Sequence, residues 1–175
     1  MTDKLKEDIP YFAYGSNMLT SRLRERTPSA RPLCQATLSG YSLRFHKISK
    51  KDGSGKCDAF ETGAMEDTVH GMVFLIDPAE KAELDRAEGL GYGYMEKTVT
   101  LQTISGQMEA VMYIATTIDA DLKPYNWYKE LVVAGAIEHQ LPRDYITAIQ
   151  CVVSETDPDS KRNDEAAKLL RNKPR

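Results

Sequence analysis

Four consecutive residues, Tyr14-Gly15-Ser16-Asn17, have the types and order of an anion cradle. They follow the aromatic run Tyr11-Phe12-Ala13 and precede a Leu- and Arg-rich stretch, so the segment reads as strand, tight turn, helix start. Such a turn aims backbone N–H groups that lack helical partners at one spot, where the helix dipole adds an effective charge of about +0.5. Gly15 has no side chain to hold a ligand away. The same residues also make an ordinary turn with Ser16 or Asn17 as helix cap, and by themselves they leave both readings open. The segment matches neither Gly-x-x-x-x-Gly-Lys nor Gly-x-Gly-x-x-Gly, so a small carboxylate suits it better than a nucleotide phosphate.

The second chemically suggestive residue is Glu88. Pro78 opens a helix that Gly89 stops, and this puts Glu88 at the C-terminal end, where the dipole disfavours negative charge. A carboxyl that is also partly buried there would suit general-base work near neutrality, whereas an exposed one would be ordinary surface. In Gly91-Tyr92-Gly93-Tyr94 the two tyrosines could line a pocket or pack on a hairpin edge. Cys34, Cys57 and Cys151 are odd in number and widely spaced, so neither a disulfide framework nor a zinc site is expected. Cys34 and Cys151 lie in apolar stretches and read as buried structural thiols. His46, His70 and His139 show no triad or metal spacing.

Several elements must position these residues. A helix is expected over Met18–Arg26, ending before Pro28. Alternation from Cys34 to Ile48 predicts one long strand bent at Gly40. The polar stretch Ser49–Asp58 reads as an exposed, mobile loop, a poor place for rigid chemistry. Strands follow at Ala59–Met65 and Val69–Ile76, then a hairpin of Tyr94–Ile104 and Met108–Ala115. Two helices are expected at Trp127–Gln140 and Arg143–Val152. Strands precede most of the helical sequence and hairpin links outnumber crossovers, so the fold class is α+β: a mixed, curled, barrel-like sheet with flanking helices.

The 175 residues suit one domain, read as residues 10–153, with a polar extension at 1–9 and a charged, weakly ordered tail at 154–175. The tail could form a solvated helix. A formal charge of −3 carries no basic excess for nucleic acid or an anionic membrane. No stretch approaches the roughly 20 apolar residues of a membrane span, and the start is charged where a signal peptide is apolar. A cytoplasmic location and a small-molecule partner are expected, with a homodimer left open.

The run Tyr11-Phe12-Ala13-Tyr14-Gly15-Ser16-Asn17-Met18-Leu19 resembles the signature of the γ-glutamylcyclotransferase family. Arg26 to Ala30, Leu84 to Gly89 with Tyr94 beyond, Tyr113, Tyr128-Lys129, Gly135-Ala136 and Leu141-Pro142 follow in that family's order, across roughly residues 10–150. The resemblance implies a mixed barrel with helices around it and a carboxylate-binding loop of Tyr11, Phe12, Ala13, Tyr14, Gly15, Ser16 and Asn17. It implies Glu88 as the catalytic acid/base, with Tyr94 beyond it and Tyr128 as a substrate contact. The activity implied is cyclisation of γ-glutamyl compounds to 5-oxoproline with release of an amine, without metal or cofactor. A catalytically silent member that binds small acids or a protein is the alternative. Met18 stands where the family often has Leu, and Ser49–Asp58 and the tail from Ser154 have no evident counterpart, which leaves the leaving-group side open.

Overall fold

The computed structural model describes residues 7–172, so residues 1–6 of the polar extension and the last three of the tail lie outside the described residues. Five strands close a barrel in the order β1 (Ile9–Ala13), β5 (Thr68–Ile76), β2 (Arg31–Ser39), β6 (Tyr94–Thr103), β7 (Gly106–Ala115). Neighbours are antiparallel except β1 and β7, which close the barrel in parallel through Tyr11 and Val111. With helices around it, this is the mixed α+β barrel expected.

The long strand expected over Cys34–Ile48 is two strands. Gly40 adopts φ +82, and the chain there leaves the barrel for a separate hairpin of β3 (Tyr41–Ile48) and β4 (Gly55–Glu61). A left-handed glycine ends a strand as readily as it bends one, so alternation alone does not separate the two outcomes.

The link expected to be a mobile loop is held from within. Asp52 accepts from the Ser54 amide at 3.0 Å and from Lys56 Nζ at 2.8 Å, so its polar residues satisfy one another. Gly55 packs against the Phe45 carbonyl so closely that an added Cβ would stand 2.1 Å from it. Ser49, Ser54, Cys57 and Asp58 are buried.

Ser16–Met18 forms one 3-10 turn, Leu19 is extended, and α1 is only Thr20–Arg24. The helix expected over Met18–Arg26 is therefore shorter, and neither Ser16 nor Asn17 caps it. The macrodipole of a long helix does not act at this turn. α2 (Lys81–Glu88) follows a 3-10 turn, Pro78–Glu80, in which Asp77 accepts from the Ala79 amide. It stops at Gly89, φ +67, where the Leu90 amide returns to the Asp85 carbonyl at 2.9 Å.

α3 (Asn126–Glu138) and α4 (Arg143–Gln150) cover the barrel. The tail does carry a helix, α5 (Ser160–Arg171), but it is docked and not solvated all round: it buries Ala166 and Leu169 against Leu19, Leu131 and Ala134. Buried Asp157 anchors its entry, accepting from Trp127 Nε1 at 2.7 Å and from Arg162 at 2.6 Å. Among the described residues no helix is long and apolar enough to cross a membrane.

Gly135 of α3 sets the height of the Ser16–Met18 turn: a Cβ there would meet Leu19 N at 2.6 Å and Met18 Cβ at 2.7 Å. Gly135→Ala gains about 1 kcal/mol in helix propensity. Because backbone blocks relief, overpacking costs near the top of its usual range of about 1–3 kcal/mol. Urea denaturation is expected to show a net loss of about 1–2 kcal/mol. An unchanged midpoint would show that the turn does not rest on this contact.

Candidate active site

A cleft of about 580 Å³ opens between the Ser16–Met18 turn, α1, the C-terminal end of α2, the β3–β4 hairpin and α5. Tyr11, Tyr14, Gly15, Ser16, Asn17, Glu88, Tyr94 and Tyr128 all line it. Phe12 and Ala13 do not; both are buried in the core, with the Phe12 ring packed over Gly71. The turn thus contributes the cleft surface expected of it, while two residues before it belong to the barrel.

Glu88 is the centre of the arrangement. Its Oε1 accepts from Asn17 Nδ2 at 2.8 Å and from Arg26 Nη1 at 2.7 Å. Asn17 Nδ2 also donates to Tyr11 Oη at 3.0 Å, while Asn17 Oδ1 accepts from Arg26 at 3.0 Å. The guanidinium offsets the penalty that the end of α2 imposes on a carboxylate. Among the described residues Oε2 has no hydrogen-bond partner, and it is not sealed from solvent. One oxygen is held and the other is available for proton transfer.

Tyrosine hydroxyls brace the walls. Tyr94 donates to the Cys57 carbonyl at 2.7 Å, and Tyr128 Oη accepts from the Cys57 amide at 3.0 Å. Tyr14 donates to the Tyr113 carbonyl, and Tyr113 donates to Asp85 on α2 at 2.5 Å. Burial raises the pKa of Tyr11, Tyr14, Tyr94 and Tyr128 above the ordinary phenol value, so all four remain donors at neutral pH. Gly15 fits closely beneath β4, where an added Cβ would be 3.0 Å from Cys57 Cβ.

Burial likewise pushes the Cys57 thiol up to about 12, which suits a structural thiol better than a nucleophile. Of the two cysteines expected to be buried, Cys34 is partly covered and Cys151 is exposed. Among the described residues no three His, Cys, Asp or Glu side chains converge as a metal-ligand set.

The backbone N–H groups of Gly15, Ser16 and Asn17 have no acceptor among the described residues, so the turn can bind an anion although no long helix stands behind it. Its charge comes instead from Arg22. That side chain donates from Nε to Ser16 Oγ at 3.0 Å and forms no ion pair among the described residues. Burial, then the neighbouring Arg26, pushes its pKa down to about 10.

Arg22 and Arg26 are functional candidates that only the structure brings out. Their signal is two like charges four residues apart, which would oppose a helix continued over both, and α1 indeed ends at Arg24. Lys47, Asp52 and Lys56 also line the cleft, from β3 and the link read as a loop. So do Arg162 and Lys168, from the segment read as a tail.

Residues 68–149 match the AIG2-like family. Over 172 residues the chain is 30% identical to the γ-glutamylcyclotransferase of Homo sapiens, covering 95% of this chain and 89% of that one. The γ-glutamylcyclotransferase of Bos taurus is 33% identical over 144 residues, covering 79% of this chain and 76% of that one. A solved structure of a γ-glutamyl cyclotransferase superposes with a TM-score of 0.82 at 28% identity, covering 93% of this chain and 99% of that one.

An unpaired, desolvated cation is kept here at a cost to the fold. Because burial depresses the Arg22 pKa in the folded state, that cost is full at neutral pH and fades as the pH rises through about 10. Arg22→Met is therefore expected to melt a few degrees higher than the parent protein at pH 7, with the difference shrinking above pH 10. Thermal denaturation across that range checks it, and a variant melting no higher at pH 7 would contradict it.

Proposed function

The chain belongs to the γ-glutamylcyclotransferase family, and from that premise we propose that its cleft cyclises the γ-glutamyl group of small γ-glutamyl compounds, releasing 5-oxoproline and a free amine. One observation carries the reading: a carboxylate held by one oxygen in the same cleft as an unpaired arginine and a turn of unpaired backbone N–H groups.

In this mechanism the Gly15–Asn17 turn and Arg22 take the α-carboxylate of the γ-glutamyl group, and Tyr128 donates to the bound substrate. Fixing that end folds the substrate so that its α-amine lies against its own γ-carbonyl. Glu88 Oε2 takes a proton from the α-ammonium, and the freed nitrogen attacks the γ-carbon to close the five-membered ring. The oxyanion so formed is met by backbone N–H groups of the turn. Glu88 then returns the proton to the leaving nitrogen, the old C–N bond breaks, and the regenerated carboxylate takes the second proton from the ring nitrogen and passes it to the released amine, leaving the lactam N–H and Glu88 as a carboxylate.

Only the substrate is consumed. Attack within one bound molecule can lower the barrier by about 7–11 kcal/mol, so positioning supplies more than proton transfer does. The free thiols Cys34, Cys57 and Cys151 are compatible with a reducing, cytoplasmic setting.

Glu88→Gln keeps the shape and removes the base. It is expected to lower kcat on γ-glutamyl-L-alanine by about 10²–10⁴ while binding remains measurable by calorimetry. Full turnover by this variant would remove Glu88 from the mechanism. Measurable binding with no turnover even by the parent protein would favour a silent, acid-binding member of the family.

A further inference from the structure

Nine Lys and Arg side chains line the cleft against four Asp and Glu, in a chain whose net charge is −3. Much of that positive charge is spoken for. Arg26 pairs with Glu88, Lys56 with Asp52, Arg86 with Glu83, and Arg162 with Asp157. Among the described residues two half-buried cations of the cleft have no ion-pair partner: Arg22, beside the turn, and Lys47 of β3. A γ-glutamyl group has one α-carboxylate, and Arg22 with the turn accounts for it. Lys47 is left over.

The local structure holds Lys47 deliberately over the cleft. The β3–β4 register shifts between Arg44 and Lys47, and irregularities of this kind re-aim side chains beside active sites. The Lys47 ammonium sits 4.6 Å from the centre of the Tyr94 ring and crosses Gly93, where an added Cβ would lie only 2.9 Å from Nζ. Stacking on Tyr94 and passage over a glycine fix a side chain that would otherwise be mobile. Farther out, Lys50 lies 5.7 Å from the centre of the Tyr92 ring and adds a second positive charge on the same side. Burial lowers the Lys47 pKa and the Glu88 carboxylate raises it, so the ammonium is partly desolvated and within electrostatic reach of the proton-transfer group.

We propose that Lys47 is a specificity-determining residue that binds a free carboxylate on the leaving amine, so that the cleft selects γ-glutamyl amino acids over γ-glutamyl amines. This rests on the cyclisation reading above. The chemistry is one of reach: in an α-amino acid the carboxylate carbon is two bonds from the nitrogen that receives the proton from Glu88, so a cation near Glu88 meets it. A simple amine has no such group. A leaving lysine joined through its ε-nitrogen carries its carboxylate at the far end of the chain and brings a further positive charge toward Lys47 and Lys50, so isopeptides of that kind are disfavoured.

The test compares γ-glutamyl-L-alanine with γ-glutamyl-L-alaninamide, which differs in the leaving carboxylate, on the parent protein, Lys47→Met and Lys47→Arg. 5-Oxoproline release is expected to favour the acid over the amide by about tenfold or more in kcat/KM, the value of one charge-assisted contact. Lys47→Met should bring that ratio near one, chiefly by raising KM for the acid, and Lys47→Arg should restore it. Equal use of both compounds by the parent protein, or a ratio unmoved in Lys47→Met, overturns the proposal. Calorimetry with the Glu88→Gln protein, with and without Lys47→Met, separates the two layers. Tighter binding of the acid that depends on Lys47, without turnover by the parent protein, supports the carboxylate subsite and sinks cyclisation. Turnover with no difference in binding between acid and amide sinks the subsite and leaves cyclisation standing.

Discussion

A carboxylate at the C-terminal end of a helix is in an unfavourable field, and the site depends on how Glu88 is kept there. The amide of Asn17 and the guanidinium of Arg26 both reach its Oε1, and Asn17 and Arg26 also bond to each other. Asn17 belongs to the turn, Arg26 to the segment just after α1 and Glu88 to the end of α2, so the triangle holds only if these three stretches keep their relative positions. Gly135 lets the turn settle on α3, Ser29 ties the segment after α1 to Glu80 at 2.6 Å, and Tyr113 ties β7 to α2 through Asp85. Each contact lies away from the reacting atoms, and each helps fix the free oxygen of Glu88.

Charge in the cleft follows from the same constraint. Because Arg26 is engaged by Glu88, the cation left unpaired beside the turn is Arg22, which is why the proposed reaction gives Arg22 the substrate carboxylate. The buried tyrosines supply neutral donors that do not compete with it. The β3–β4 hairpin brings Lys47 and Lys56 to the other wall. Desolvated cations cost stability in the empty protein, and their value is realised only when an anion arrives. A chain with net negative charge that concentrates positive charge in one cleft has the electrostatics of a site for anionic small molecules.

Much of the fold was legible because its signals are local. Pro78 and Gly89 bracket α2, and the alternation on either side of Gly106 marks the β6–β7 hairpin. Where the outcome depended on distant packing, local signals failed. Gly40 reads alike as a bend or a break, and the break arises because the chain changes sheets there. The link around Asp52 has the composition of a loop, yet its polar groups bond one another. Too few apolar residues advertise that the tail helix α5 docks, but Ala166 and Leu169 suffice because Leu19 and Leu131 wait beneath them.

In the site, residue types pointed to the turn, Glu88 and Tyr94, the resemblance added Tyr128, and all of these line the cleft. Phe12 and Ala13 share the turn's sequence but face the core. Arg22, Arg26 and Lys47 escaped notice because a surface cation and a ligand-binding cation look identical until burial and partners are known.

In the proposed reaction the substrate's own amine, and not water, attacks the γ-carbonyl. The measurement that tests it most directly is product analysis after incubating the purified protein with γ-glutamyl-L-alanine. Intramolecular attack yields 5-oxoproline and alanine in equal amounts with no free glutamate. Glutamate and alanine in place of 5-oxoproline, or no cleavage at all, would contradict it.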